Sequence, residues 1–125
     1  MKFQGLYTAI VTPFAGNRVD EEAFRMLVEA QIAAGVAGIV AVGTTGESPT
    51  LTVKEHLRVI ELAVESAAGR IQVIAGTGAN STAEAIHMTQ EAEKMGVDGT
   101  LQVCPYYNKP SQDGLYAHFK AIADA

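Results

Sequence analysis

Four short apolar runs rich in β-branched residues punctuate the chain, at positions 6–11, 38–42, 71–75 and 100–103. Each is apolar at successive rather than alternate positions, the pattern of a strand covered on both faces. After each comes a polar loop and then a helical period. Phe24, Leu27, Val28 and Ile32 form one apolar stripe, and Leu57, Ile60, Val64 and Ala67 a second. Ala85, Met88, Ala92 and Met95 form a third, and Leu115, Phe119 and Ile122 a fourth.

Local signals mark where these helices begin and end. Thr52 stands three residues before Glu55 and Ser81 three before Glu84, the spacing of a capping box, while Asp20 is placed to cap the first helix. Gly35, Gly69 and Gly96 follow the first three stripes, where a left-handed residue closes a helix. The reading is therefore βαβαβαβα in one domain over residues 1–125. The pattern fits either a doubly wound sheet or part of a TIM barrel, which takes eight units and about 250 residues. No closing Gly or Pro follows the fourth helical period, so a truncated barrel is expected. Its inner strand face and outer strands would lie open, and self-association into a homo-oligomer is expected.

Composition narrows the function classes. The chain has 125 residues, 48% hydrophobic and 18% charged, which is ordinary for a globular protein. Folding should remove roughly two-thirds of the unfolded surface from water. A net charge of −5 with dispersed Lys and Arg gives no basic stripe, which argues against nucleic acid as a partner. The single Cys104 excludes an internal disulfide and suits a reducing cytosol. No run approaches the ~20 apolar residues of a membrane span, and no leader pattern opens the chain, so a cytoplasmic location is expected. Cys104 and Met88 are expected in the core, and His87 and His118 in solvent.

In α/β folds ligands gather at the carboxyl ends of strands. The loop Gly43-Thr44-Thr45-Gly46-Glu47-Ser48 lies at such an end, and its glycines, hydroxyls and N–H groups suit an anion. Equally, it reads as a turn whose hydroxyls bond their own backbone. Gly76-Thr77-Gly78 lacks the third glycine of a dinucleotide fingerprint, because Ser81 stands in its place. Pro105-Tyr106-Tyr107-Asn108-Lys109-Pro110 presents two adjacent phenols for proton relay, or for packing on a partner subunit.

Together these loops and the opening Thr12-Pro13-Phe14 resemble the dihydrodipicolinate synthase family along the whole chain. The pairing of Thr44-Thr45 with Tyr106-Tyr107-Asn108 favours this branch over the related N-acetylneuraminate lyases. The resemblance implies an α/β chain that is half of a TIM (β/α)8 barrel, with four consecutive βα units and parallel strands. It implies a lyase of lysine and diaminopimelate biosynthesis, without cofactor or metal, in which a lysine forms a Schiff base with pyruvate and the enamine attacks aspartate semialdehyde. By the same resemblance Thr44 and Tyr107 relay protons and Thr45 binds the pyruvate carboxylate. The family's Schiff-base lysine, third relay tyrosine and entrance arginine belong to its fifth and sixth strands, beyond the positions matched here. Lys109 is the one lysine in a strand-end loop and is expected to be a solvated charge. Ser48, His56, Asn80, Glu84 and Tyr106 match the family's lysine-effector positions; alternatively Asn80 and Glu84 only cap the third helix and His56 faces solvent. Pro49 and Val53 depart from some feedback-sensitive members.

Overall fold

Apolar runs and helical stripes fall where the sequence places them in the computed structural model, which describes residues 2–125. In chain order the elements are β1 (Tyr7–Ala9), β2 (Phe14–Ala15), β3 (Arg18–Val19), α1 (Glu21–Ala33), β4 (Gly38–Ala41), α2 (Val53–Ala67), β5 (Gln72–Gly76), α3 (Thr82–Met95), β6 (Gly99–Leu101) and α4 (Gln112–Asp124). A single 3-10 turn, Ser48–Thr50, precedes α2. The main sheet runs β1-β4-β5-β6, and every pairing is parallel. Its order never reverses, so there is no switch point of the doubly wound kind, and the sheet is a barrel wall of four βα units.

One face of this wall is the core. Ile39, Ala41, Val73 and Ala75 point to the helices and are buried with Phe24, Val28, Val59, Ile60 and Leu62. Burying a side chain such as Phe24 or Ile60 contributes about 1.5–3 kcal/mol. The other face, carrying Val40 and Ile74, is only half-buried. At its amino end Tyr7 donates its hydroxyl to Gln72, and the Phe3 ring meets Tyr7 edge-on at 5.9 Å. Gly38 lies beneath the Tyr7 ring, where any Cβ would overlap it. This layer fixes how closely β1, β4 and β5 approach.

The helix boundaries follow their caps. Asp20 accepts from the Ala23 N–H, and Thr52 and Glu55 complete a reciprocal capping box. Gly96 closes α3 in the left-handed region. For α2 that role falls one residue earlier than expected, on Ala68 at φ 47, with Gly69 continuing the turn.

The outer strands lie open, as expected of part of a barrel: Leu6 and Val11 are 65% and 51% exposed, and Leu101 and Val103 are exposed at the other edge. Two burial expectations need correction. Cys104 is exposed, since the chain has left β6 and lies over the open rim. His118 is buried, because its Nδ1 pairs with the Thr82 hydroxyl at 2.8 Å across the α3–α4 contact. His87 is exposed and Met88 buried, as expected. The β2–β3 hairpin was not foreseen, although its Gly16-Asn17 turn, with Gly16 at φ 62, carries a two-residue hairpin signal.

Candidate active site

The carboxyl ends of β4, β5 and β6 frame a cavity of about 390 Å³, lined by Val42, Gly43, Thr44, Gly76, Leu101 and Tyr106 among others. Its shape depends on an unfavourable backbone. Val42 is buried and β-branched, yet adopts φ 54, a conformation that costs of order 1–3 kcal/mol. Glycine makes this turn possible on both sides: a Cβ on Gly76 would overlap the Val42 carbonyl, and one on Gly46 would come within 2.9 Å of the Val42 Cα. Thr12 then anchors the loop from the end of β1, donating its hydroxyl to the Gly46 carbonyl at 2.7 Å.

Within this loop the N–H groups of Gly46 and Glu47 are held by the carbonyls of Gly43 and Thr44. Those N–H groups are not free for an anion, and α2 begins only after the 3-10 turn, so the loop is not a helix N-terminus. Among the described residues no side-chain hydrogen bond ties up the Thr44 or Thr45 hydroxyl, and both threonines are exposed. Thr44 lines the cavity, whereas Thr45 and Tyr107 do not. Tyr107 stands 96% exposed at φ 70. No lysine lines the cavity, and Lys109 is exposed at φ 44.

A second, polar cavity of about 90 Å³ adjoins the first, and Ser48, Pro49, Gly78 and Tyr106 line both. Ser48, His56, Glu84 and Tyr106 converge on it. Asn80 touches the same loop from outside, its Oδ1 accepting the Tyr106 N–H at 2.6 Å. The cap of α3 is Ser81, which accepts from the Glu84 N–H, so Asn80 does not cap the helix.

His56 is buried rather than solvated. Its Nε2 meets the Gly76 carbonyl at 2.6 Å, which fixes the proton on Nε2 and leaves Nδ1 toward the Ser48 hydroxyl at 3.4 Å. Burial pushes the imidazole below its ordinary value, against the opposing pull of the Gly76 carbonyl and the Glu84 charge. The neutral ring leaves Glu84 as the charged group of this cavity.

Sequence reasoning missed Thr12, Val42 and Gly76 as builders of the mouth. Gly76 carried a signal as a glycine ending a buried strand, where backbones approach closely. Val42 carried none, because its conformation is imposed by neighbours. Among the described residues no cluster of His, Cys, Asp or Glu could hold a metal ion, and no helix is long and apolar enough to cross a membrane.

The model of the dihydrodipicolinate synthetase family matches residues 2–125. The 4-hydroxy-tetrahydrodipicolinate synthase of Rhodopseudomonas palustris (strain BisA53) is 60% identical over 123 residues, covering 98% of this chain and 42% of that protein. Among solved structures, the synthase of the same name from Methylacidiphilum fumariolicum SolV is 58% identical with a TM-score of 0.95, covering 98% of this chain and 41% of that one. A dihydrodipicolinate synthase from Cyanidioschyzon merolae, solved with lysine bound, is 48% identical with a TM-score of 0.91, covering 94% and 41%. The chain thus spans about 42% of the length of the curated relatives it matches. A barrel wall with this strand order, this cavity at its carboxyl end and a family match from residue 2 to residue 125 place the chain in the dihydrodipicolinate synthetase family.

Proposed function

We propose that these residues form the amino-terminal part of a Schiff-base synthase that condenses pyruvate with L-aspartate 4-semialdehyde to 4-hydroxytetrahydrodipicolinate. The observation that carries this reading is the free Thr44 hydroxyl at the wall of a cavity that contains no lysine. In the proposed cycle Thr44 passes protons to and from the reacting centre and Thr45 holds the pyruvate carboxylate. Tyr107, almost fully exposed, completes the relay in a neighbouring subunit. Such a relay is needed because imine formation expels water and the later steps move protons at neutral pH, where free hydroxyls and phenols exchange them poorly.

The imine-forming amine comes from outside these residues in this reading. Lys109 is exposed, and an imine lysine needs burial or a nearby cation to be neutral at pH 7. Borohydride reduction in the presence of pyruvate, followed by mass spectrometry, tests the proposal. The chain alone should give no adduct, and adding the remaining part of a relative's barrel should give one on the added polypeptide. An adduct on Lys109 would overturn the assignment.

A second reading is favoured by the polar cavity. Glu84 there faces Ser48, neutral His56 and Tyr106, a set that can hold an ammonium group and leave room for hydrogen bonds to a carboxylate. We propose L-lysine as its ligand, in keeping with the lysine-bound relative from Cyanidioschyzon merolae. Calorimetric titration with L-lysine tests it, and equal binding by Glu84→Gln would remove the carboxylate from the site.

A further inference from the structure

The polar cavity beside the barrel mouth holds a ring nitrogen that is poorly satisfied. His56 is only 2% exposed, and its Nε2–H is committed to the Gly76 carbonyl at 2.6 Å. The lone pair on Nδ1 is left to the cavity side, where its contact with the Ser48 hydroxyl, at 3.4 Å, is longer than a well-formed hydrogen bond of roughly 2.7–3.2 Å. A buried acceptor with so weak a partner is costly unless another donor reaches it. Glu84, on the same cavity, takes part in none of the ion pairs of the described residues. Two under-used acceptors, one of them charged, with no Lys or Arg among the lining side chains, suit an ammonium group, which has donors and no acceptor.

We propose that a proton on His56 and an ammonium ligand compete for this cavity, so that the site fills at neutral pH and empties in mild acid. The inference rests on the lysine reading of the cavity and adds its regulation. A proton on Nδ1 turns the acceptor into a donor, and the bond from Nε2 to Gly76 keeps the ring from offering its other nitrogen instead. The same proton offsets the Glu84 charge and so removes the attraction for a cation. Each element around the ring was considered: α3 contributes Glu84 and the loop after β6 contributes Tyr106, whereas the 3-10 turn contributes only uncharged Ser48 and Pro49, and β5 meets the ring through the Gly76 carbonyl. Burial already favours the neutral ring in the empty cavity. A bound ammonium favours it further, so a ligand that enters a protonated site must release one proton. Affinity is therefore complete above the ordinary value of 6.5 and is lost as pH falls through the lowered one. Only chains with a neutral His56 bind, so below that point the apparent Kd rises about tenfold per pH unit.

Calorimetric titration of the chain with L-lysine tests it, at about pH 7.5 and about pH 5.5, in a phosphate and in an amine buffer at each. The expected result is a higher Kd at the lower pH, with heats there that differ between the two buffers because a released proton is taken up by each. His56→Gln supplies an amide donor for Gly76 and no titratable nitrogen, and should bind L-lysine with the same Kd at both pH values. A pH dependence that persists in His56→Gln would assign the titration to Glu84 and overturn the proposal. If that variant does not fold, the unaltered chain decides: equal heats in the two buffers at the lower pH overturn the competition. An equal or lower Kd at the lower pH would also overturn it while leaving L-lysine as the ligand. Absence of binding at both pH values would overturn the lysine reading and this inference together.

Discussion

The imidazole of His56, on α2, is joined to the carbonyl of Gly76, at the end of β5, by a hydrogen bond of 2.6 Å. That bond links the two cavities, because Gly76 lines the larger one and His56 the smaller. It also makes the carboxyl end of β5 depend on a titratable group.

The first prediction is a pH dependence of stability. Burial lowers the His56 value below its ordinary 6.5, so the unfolded chain binds the proton at a pH where the folded chain does not. Stability is therefore complete above about pH 6.5 and declines as pH falls through the interval between the ordinary and the lowered value. Denaturant melts between pH 7.5 and 5 should show this slope. His56→Gln should flatten it while lowering stability at pH 7.5 by roughly 1–3 kcal/mol, because the Gly76 carbonyl loses a well-placed donor. A slope unchanged in the variant would move the effect to another group.

The second prediction concerns two glycines with different reasons to be glycine. At Gly76 a Cβ would overlap the Val42 carbonyl, so Gly76→Ala must displace backbone; a cost of about 1–3 kcal/mol or more is expected. Gly16 has open space around it but sits at φ 62, so Gly16→Ala should cost about 1–2 kcal/mol through conformation alone. Chemical denaturation ranks the two. Only the Gly76 variant should also alter the larger cavity, read as a changed exchange rate of the amides in residues 43–48.

The α2 cap gives a third test. Thr52 and Glu55 satisfy each other's backbone N–H groups, and Thr52 is exposed, so little beyond the cap is at stake. Thr52→Ala should lower stability by about 0.5–2 kcal/mol, and Thr52→Ser should recover most of it. Equal loss in both variants would point to packing of the threonine methyl group.

Much of this fold was legible because local signals agreed with the global pattern. Asp20, Thr52 and Ser81 cap the helices they were expected to cap, and the stripes containing Phe24, Ile60 and Met88 all face the core. The exposure of Cys104 and the burial of His118 were not legible, since each depends on which neighbour the chain meets after β6. His56 shows the same limit within the candidate site. Its position among the effector residues came from resemblance, but its burial and its bond to Gly76 arise from the packing of α2 on β5, 20 residues away in sequence. Thr44 and Tyr107 were both picked out by their loops, yet only Thr44 lines the cavity, and Tyr107 sits nearly fully exposed in a left-handed conformation that no propensity requires.

The loop that carries Tyr107 yields the last prediction. Tyr107 and Lys109 both lie at positive φ, 70 and 44, and such residues cost about 1–2 kcal/mol each unless the surroundings hold them. Two anchors are visible: Asn80 accepts the Tyr106 N–H, and Ser111 caps α4 by accepting from the Gly114 N–H. Asn80→Ala should remove the first anchor, lowering stability by about 0.5–1.5 kcal/mol and speeding exchange of the Tyr106 amide by roughly tenfold. Lys109→Gly relieves one strained position at an exposed side chain that lines neither cavity, and should offset part of that loss in the double variant. If Lys109→Gly instead destabilises the chain, the lysine side chain itself holds the loop, and its exposed position conceals a structural role.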